Sequence, residues 1–131
     1  MGSIIRKLQR LVNLHSGNFL IFHRILLGKG TNLPTAFITV SDTIAIWFLK
    51  KAQAMGYRIP ADFSIVGFED SPGSSLLDPP LTTFKQDYSL CGKTAFEALM
   101  SLTGDSTPPQ SRTLITPEFI IRKSCAPPPS T

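Results

Sequence analysis

Two short runs rich in β-branched and aromatic residues, TAFITV (35–40) and SIVGF (64–68), flank one amphipathic segment. That segment, DTIAIWFLKKAQAMG, repeats Ile44, Ala45, Phe48, Ala52 and Met55 at helical spacing. Ser41 and Asp42 stand where an N-cap belongs, and Gly56 stands where a left-handed residue would close the helix. Strand, helix and strand in that order predict a βαβ unit, hence a parallel sheet with a right-handed crossover.

The flanking sequence extends this unit. LTTFKQ (81–86) predicts a third strand, and residues 87–103 predict a helix carrying Leu90, Ala95, Ala98, Leu99 and Leu102 as its apolar stripe. RTLITPEFIIRK (112–123) predicts two short strands around Pro117. Upstream, Ile4, Leu8, Leu11 and Val12 share one helical face, and SGNFLIFHRILLGKG (16–30) predicts a second helix. The expected organisation is an N-terminal amphipathic segment over 1–15, an α/β domain over 16–125, and a disordered Pro-rich tail over 126–131.

Composition narrows the classes of function. At 42% hydrophobic residues, 131 residues suffice for one domain with a core. Thirteen basic against nine acidic side chains leave +4, spread along the chain, which suits solubility better than nucleic-acid binding. No apolar run approaches the roughly 18 residues of a membrane span, and the start lacks a secretory h-region, so a cytoplasmic location is expected. Cys91 and Cys125 have no metal or redox spacing and read as reduced thiols, and His15 and His23 lack a third ligand. Neither a metal nor a cofactor is expected.

Catalytic motifs fail on spacing. GKT (92–94) imitates the end of a P-loop, but Asp87 occupies its first-glycine position, and in GKGT (28–31) His23 does. No nucleophile elbow is present, and Glu69 and Asp70, adjacent on a strand, point to opposite faces. An enzyme is not expected.

In open parallel sheets ligands bind beyond the carboxyl ends of the strands. Those ends here are 40–42, 68–70 and 85–87, which bring Ser41, Asp42, Glu69 and Gln86 to one edge. Convergent hydroxyl, carboxylate and amide groups suit a polyhydroxylated or heterocyclic ligand, with Phe68 or Tyr88 available to stack on a ring. Asp42 also reads as a helix cap, and Asp70 as the anchor of a turn.

Several of these pieces occur together in a recognisable pattern: Pro34-Thr35-Ala36, Ser41-Asp42, Gly56, the Arg58–Asp62 turn, Val66-Gly67-Phe68, Glu69-Asp70 and Pro79 to Gln86. With the closing PEFIIRKSCAPP, they resemble the C-terminal part of the effector-binding domain of LacI/GalR-family transcriptional regulators over residues 16–128. The resemblance implies a periplasmic-binding-protein-like α/β sandwich, here mainly its second lobe. The helix-turn-helix, most of the first lobe, and the first strand and helix of the second are expected to lie outside this chain.

It implies a small-molecule effector (a sugar, sugar phosphate or purine), a homo-oligomer such as a dimer, no sequence-specific DNA contact by this chain, and no membrane. The implied ligand-binding residues are Ser41, Asp42, Phe68, Glu69, Gln86 and Tyr88. Glu69 stands where the family pattern has Asp, and the extra methylene moves its carboxylate by about 1.5 Å. The implied dimer contacts are Ile46, Leu49, Leu76 and Leu77, with Trp47 either an added anchor or core. Two alternatives stay open: an oligomerising module that binds no ligand, and a soluble solute-binding protein.

Overall fold

A computed structural model describes residues 11–14, 34–102 and 112–127. Among the described residues, five strands form one sheet in the order β1-β2-β3-β4-β5. They are β1 (Leu11–Leu14), β2 (Ala36–Thr39), β3 (Ser64–Glu69), β4 (Thr82–Lys85) and β5 (Glu118–Ile120). The first four run parallel, and β5 pairs antiparallel with β4. Helix α1 (Asp42–Ala54) joins β2 to β3, and α2 (Tyr88–Leu102) follows β4. A short 3-10 turn, Ser74–Leu76, interrupts the loop between β3 and β4. The mostly parallel α/β architecture expected from the sequence is the one observed.

Helix α1 starts and stops on local chemistry. The Ser41 hydroxyl accepts from the Ile44 N–H at 3.4 Å, while its backbone stays extended at φ −155°. At the other end Tyr57 N–H reaches Ala52 O at 3.0 Å and Gly56 N–H reaches Gln53 O at 2.9 Å. This pattern needs a left-handed residue at Gly56, whose φ is +88°. The next turn is pinned by Asp62, which accepts from the Arg58 N–H at 2.6 Å and from its guanidinium at 3.0 Å. That guanidinium holds the Asp62 carboxyl below its ordinary range.

The core lies between α1 and one face of the sheet. Phe37, Phe48 and Phe63 cluster with centroids 4.6 to 5.4 Å apart, and Ala45, Leu49, Ala52, Ile65 and Leu81 close around them. In β3 and β4, Val66 pairs with Thr82, and Phe68 with Phe84. Alternation turns Phe68 and Phe84 away from the face that holds Ile65, and there Phe84 meets Phe119 of β5 at 4.7 Å.

Three expectations are corrected. Leu11 and Val12 belong to a β-strand, because Leu11 to Leu14 pair in register with Ala36 to Thr39. Helical spacing alone cannot see that partner, and this strand precedes β2 where none was expected. Of the two strands placed around Pro117, only Glu118–Ile120 forms one among the described residues. Leu49 is fully buried in the core, so it is not available as a dimer contact. The helix read over 16–30 and most of the segment over 1–15 lie outside the described residues.

Candidate functional site

The carboxyl ends of β2, β3 and β4 carry the polar residues that the sequence singles out. Ser41 follows β2, Glu69 ends β3, and Gln86 and Tyr88 follow β4. Asp87 caps α2 by accepting from Leu90 N–H at 2.9 Å, which sets Tyr88 as that helix's first residue. Tyr88 is 60% exposed. Partial desolvation and the neighbouring Glu69 carboxylate raise its hydroxyl above the ordinary tyrosine pKa. Tyr88 therefore stays protonated at neutral pH, able both to donate and to accept. Gln86 donates to Cys91 Sγ at 3.4 Å through Nε2. Phe68 tilts against Phe84 at 6.1 Å.

Asp42 plays a different part. It is fully buried, and both carboxylate oxygens are occupied. Oδ2 accepts from Ser71 N–H at 2.8 Å and from the Ser74 hydroxyl, and Oδ1 accepts from the Thr83 hydroxyl at 2.6 Å. With no exposed surface Asp42 cannot meet a ligand at the edge, and Ser41 supplies the cap, so both earlier readings of Asp42 are corrected. It joins the start of α1, the loop after β3 and the middle of β4 from beneath the site. Gly67 completes the fit: a Cβ there would lie 2.1 Å from Asp42 Oδ1 and 2.9 Å from Leu81 Cδ2.

Glu69 sits at a sharp corner. Its φ is +113° and that of Asp70 is +54°, two consecutive non-glycine residues in left-handed territory. Such residues cost about 1–3 kcal/mol each and persist only where the surroundings over-determine them. Asp70 pairs with Arg122 at 2.5 Å, both side chains being mostly buried. Ser71, next along, is tied to Asp42. The Glu69 carboxylate itself makes no hydrogen bond or ion pair among the described residues. Sequence reasoning had no means to find Arg122, because its partner lies 52 positions away.

The segment after β5 is woven into the sheet below this corner. Ser124 bridges β3 and β4, accepting from Thr82 N–H at 2.8 Å and donating to Ile65 O at 2.6 Å. Cys125 donates to the same carbonyl at 3.3 Å, and burial raises its thiol above the usual value. Among the described residues no group of three or more His, Cys, Asp or Glu could hold a metal ion.

The proposed dimer residues divide by burial. Ile46 and Leu77 pack against the core, whereas Trp47 and Leu76 are exposed, Leu76 at 85%. Helix α1 and the loop before β4 do form one surface: a Cβ on Gly73 would lie 3.7 Å from Ile46 Cδ1, and Gln53 donates to Asp78 O at 2.7 Å. Helix α2 buries none of its residues. Leu90, Phe96, Leu99, Met100 and Leu102 on it are exposed.

The polar side chains gather at the carboxyl edge of a mostly parallel sheet, the edge at which open α/β sheets take their ligands. The chain matches the periplasmic binding protein-like domain over residues 9–125, and it belongs to that family. Within it the resemblance is to LacI-type regulators. The transcriptional regulator MalR of Streptomyces coelicolor is 36% identical over 92 residues, covering 70% of this chain and 27% of MalR. The chain thus spans about a quarter of that relative's length.

Among solved structures, a dimeric Lac repressor with an 11-residue C-terminal deletion superposes with a TM-score of 0.67 at 32% identity, covering 82% of this chain and 40% of that one. A LacI family regulator from Arthrobacter sp. FB24, in complex with lactose, superposes at 0.60 and 29% identity over 71% of this chain and 36% of that one. These relatives are transcriptional regulators. Among the described residues no helix is long and apolar enough to cross a membrane.

Proposed function

We propose that this chain is the effector-sensing and dimerisation portion of a LacI/GalR-type transcriptional regulator, taking a small sugar-like or nucleobase-like molecule at the carboxyl edge of its sheet. The observation that carries the reading is Glu69, a carboxylate at the end of β3 with no hydrogen bond or ion pair among the described residues, close to Tyr88 at the start of α2. Glu69 accepts from ligand hydroxyl or N–H groups, Ser41 and Gln86 complete the polar edge, and Tyr88 or Phe68 stacks on a ring. The lactose complex of the Arthrobacter relative supports a sugar as one ligand class.

The test is a thermal-shift titration with lactose, glucose 6-phosphate and adenine. One of these classes is expected to raise the Tm saturably, since a ligand bound only by the native state stabilises it by about 2.7 kcal/mol at a hundredfold excess over Kd. Glu69→Gln is expected to weaken that response about tenfold or more by removing a charged acceptor. A flat response to all three classes would reject the ligand reading in favour of an oligomerising module.

Assembly is the second part of the proposal. Trp47 and Leu76, with Ile46 and Leu77 beneath them, form the proposed contact between copies, and the exposed stripe of α2 offers a further apolar surface. Light scattering at micromolar concentration is expected to give a mass above that of one chain. Leu76→Asp is expected to shift the population towards monomer with an unchanged circular dichroism spectrum, because Leu76 adds little to the core. A monomeric mass for the unaltered chain at that concentration would overturn the proposal.

A further inference from the structure

We infer that Arg122 is a positioning residue for the ligand edge: by holding Asp70 it fixes the corner that presents the Glu69 carboxylate. The inference rests on the reading of Glu69 as a ligand contact, and it adds a residue from the far end of the chain to that site.

The argument starts from the backbone. With φ of +113° and +54°, Glu69 and Asp70 occupy a conformation that an unconstrained chain would leave. Glu69 does not hold itself there, since its carboxylate has no partner among the described residues. The restraint comes from either side. Downstream, Asp42 accepts from Ser71 N–H at 2.8 Å. At the corner itself, Arg122 Nη2 donates to Asp70 Oδ1 at 2.5 Å.

Arg122 is well placed to act as an anchor. Its Nη1 donates to Leu81 O at 2.9 Å, and its backbone N–H donates to Thr82 Oγ1 at 3.0 Å. The next residues are bonded in turn, with Lys123 N–H on Pro80 O and Ser124 between β3 and β4. A planar guanidinium can hold the carboxylate and the carbonyl at once, which a lysine ammonium would do with less directional control. The Asp70–Arg122 pair is mostly shielded from solvent, so salt screens it less than a surface pair.

The test uses the full 131-residue chain with Arg122→Met, Asp70→Asn and Glu69→Gln, alone and in pairs. Asn accepts left-handed backbone well, so Asp70→Asn removes the charge without disfavouring the corner's conformation. By amide hydrogen exchange, Arg122→Met is expected to speed the Ser71 amide about tenfold or more while the amides of α1 keep their rates. Asp70→Asn should act in the same direction and add nothing to Arg122→Met. An unchanged Ser71 rate, or a uniform rise over the whole protein, would overturn the inference.

With whichever of lactose, glucose 6-phosphate or adenine binds, Arg122→Met should weaken affinity about tenfold, and should cost much less on a Glu69→Gln background. Additive losses would also overturn it, because a merely structural residue weakens both backgrounds alike. If none of the three probes binds the unaltered chain, the site reading fails, and the exchange result still decides whether Arg122 holds the corner.

Discussion

Replacing Asp42 with Ala is expected to remove about 3–5 kcal/mol of stability, the range of broken buried hydrogen-bond networks. The side chain is fully buried and accepts from three donors, two in the loop after β3 and one in β4. Alanine would leave the Thr83 and Ser74 hydroxyls and the Ser71 amide without that acceptor, and would open space beneath Gly67. Asp42→Asn should be milder, at about 1–2 kcal/mol. Its carbonyl can face Ser71 and Ser74, while its amide donates to Thr83, whose hydroxyl can accept instead. Urea denaturation followed by circular dichroism gives both values. A loss below 1 kcal/mol for Ala would show that these bonds contribute little.

Gly67→Ala should have an effect of similar size, for a steric reason. A Cβ at 2.1 Å from Asp42 Oδ1 cannot be accommodated unless Asp42 moves, and Asp42 is held by its three donors. A cost of about 3 kcal/mol or more is expected, at the upper end for overpacking. The two substitutions should also be coupled. On the Asp42→Ala background the carboxylate is gone, and the main remaining obstacle is the terminal methyl of Leu81 at 2.9 Å. There Gly67→Ala should cost only about 1–2 kcal/mol, so the double variant should be more stable than the sum of the single losses implies. Additive losses would mean that the clash is relieved by moving the strand instead.

These two residues also show how far the sequence could be read. The run Val66-Gly67-Phe68 was legible as a strand, and Ser41-Asp42 as the start of a helix. Their mutual fit was not, because it depends on how closely α1 settles on β3, which neither run encodes. The same limit explains Asp42, which looks like a cap and sits near a ligand edge. Its three donors lie 29, 32 and 41 residues downstream. Only packing reveals that they converge on it and close it off from solvent.

Leu11 and Val12 fail in another way. Their spacing with Ile4 and Leu8 matches a helical face, yet Leu11 to Leu14 pair with β2. In a short apolar run, a neighbouring strand outweighs weak local preference. Leu49 shows a related ambiguity. It recurs on the apolar side of α1, and periodicity alone does not separate a residue facing the core from one facing a second chain. The two short strands around Pro117 were reduced to one, beside β4, where pairing partners existed.

By itself the sequence determined the order β2, α1, β3, β4 and α2, the two ends of α1, and the edge where Ser41, Glu69, Gln86 and Tyr88 gather. Those features follow from periodicity, caps and strand ends, all set by residues close together in the chain. Only the tertiary structure decided that Asp42 lies beneath the site, that Leu49 belongs to the core, and that Arg122 holds the corner bearing Glu69. Each of these depends on hydrogen bonds or packing between distant segments, and such contacts exist only once the sheet and helix have come together.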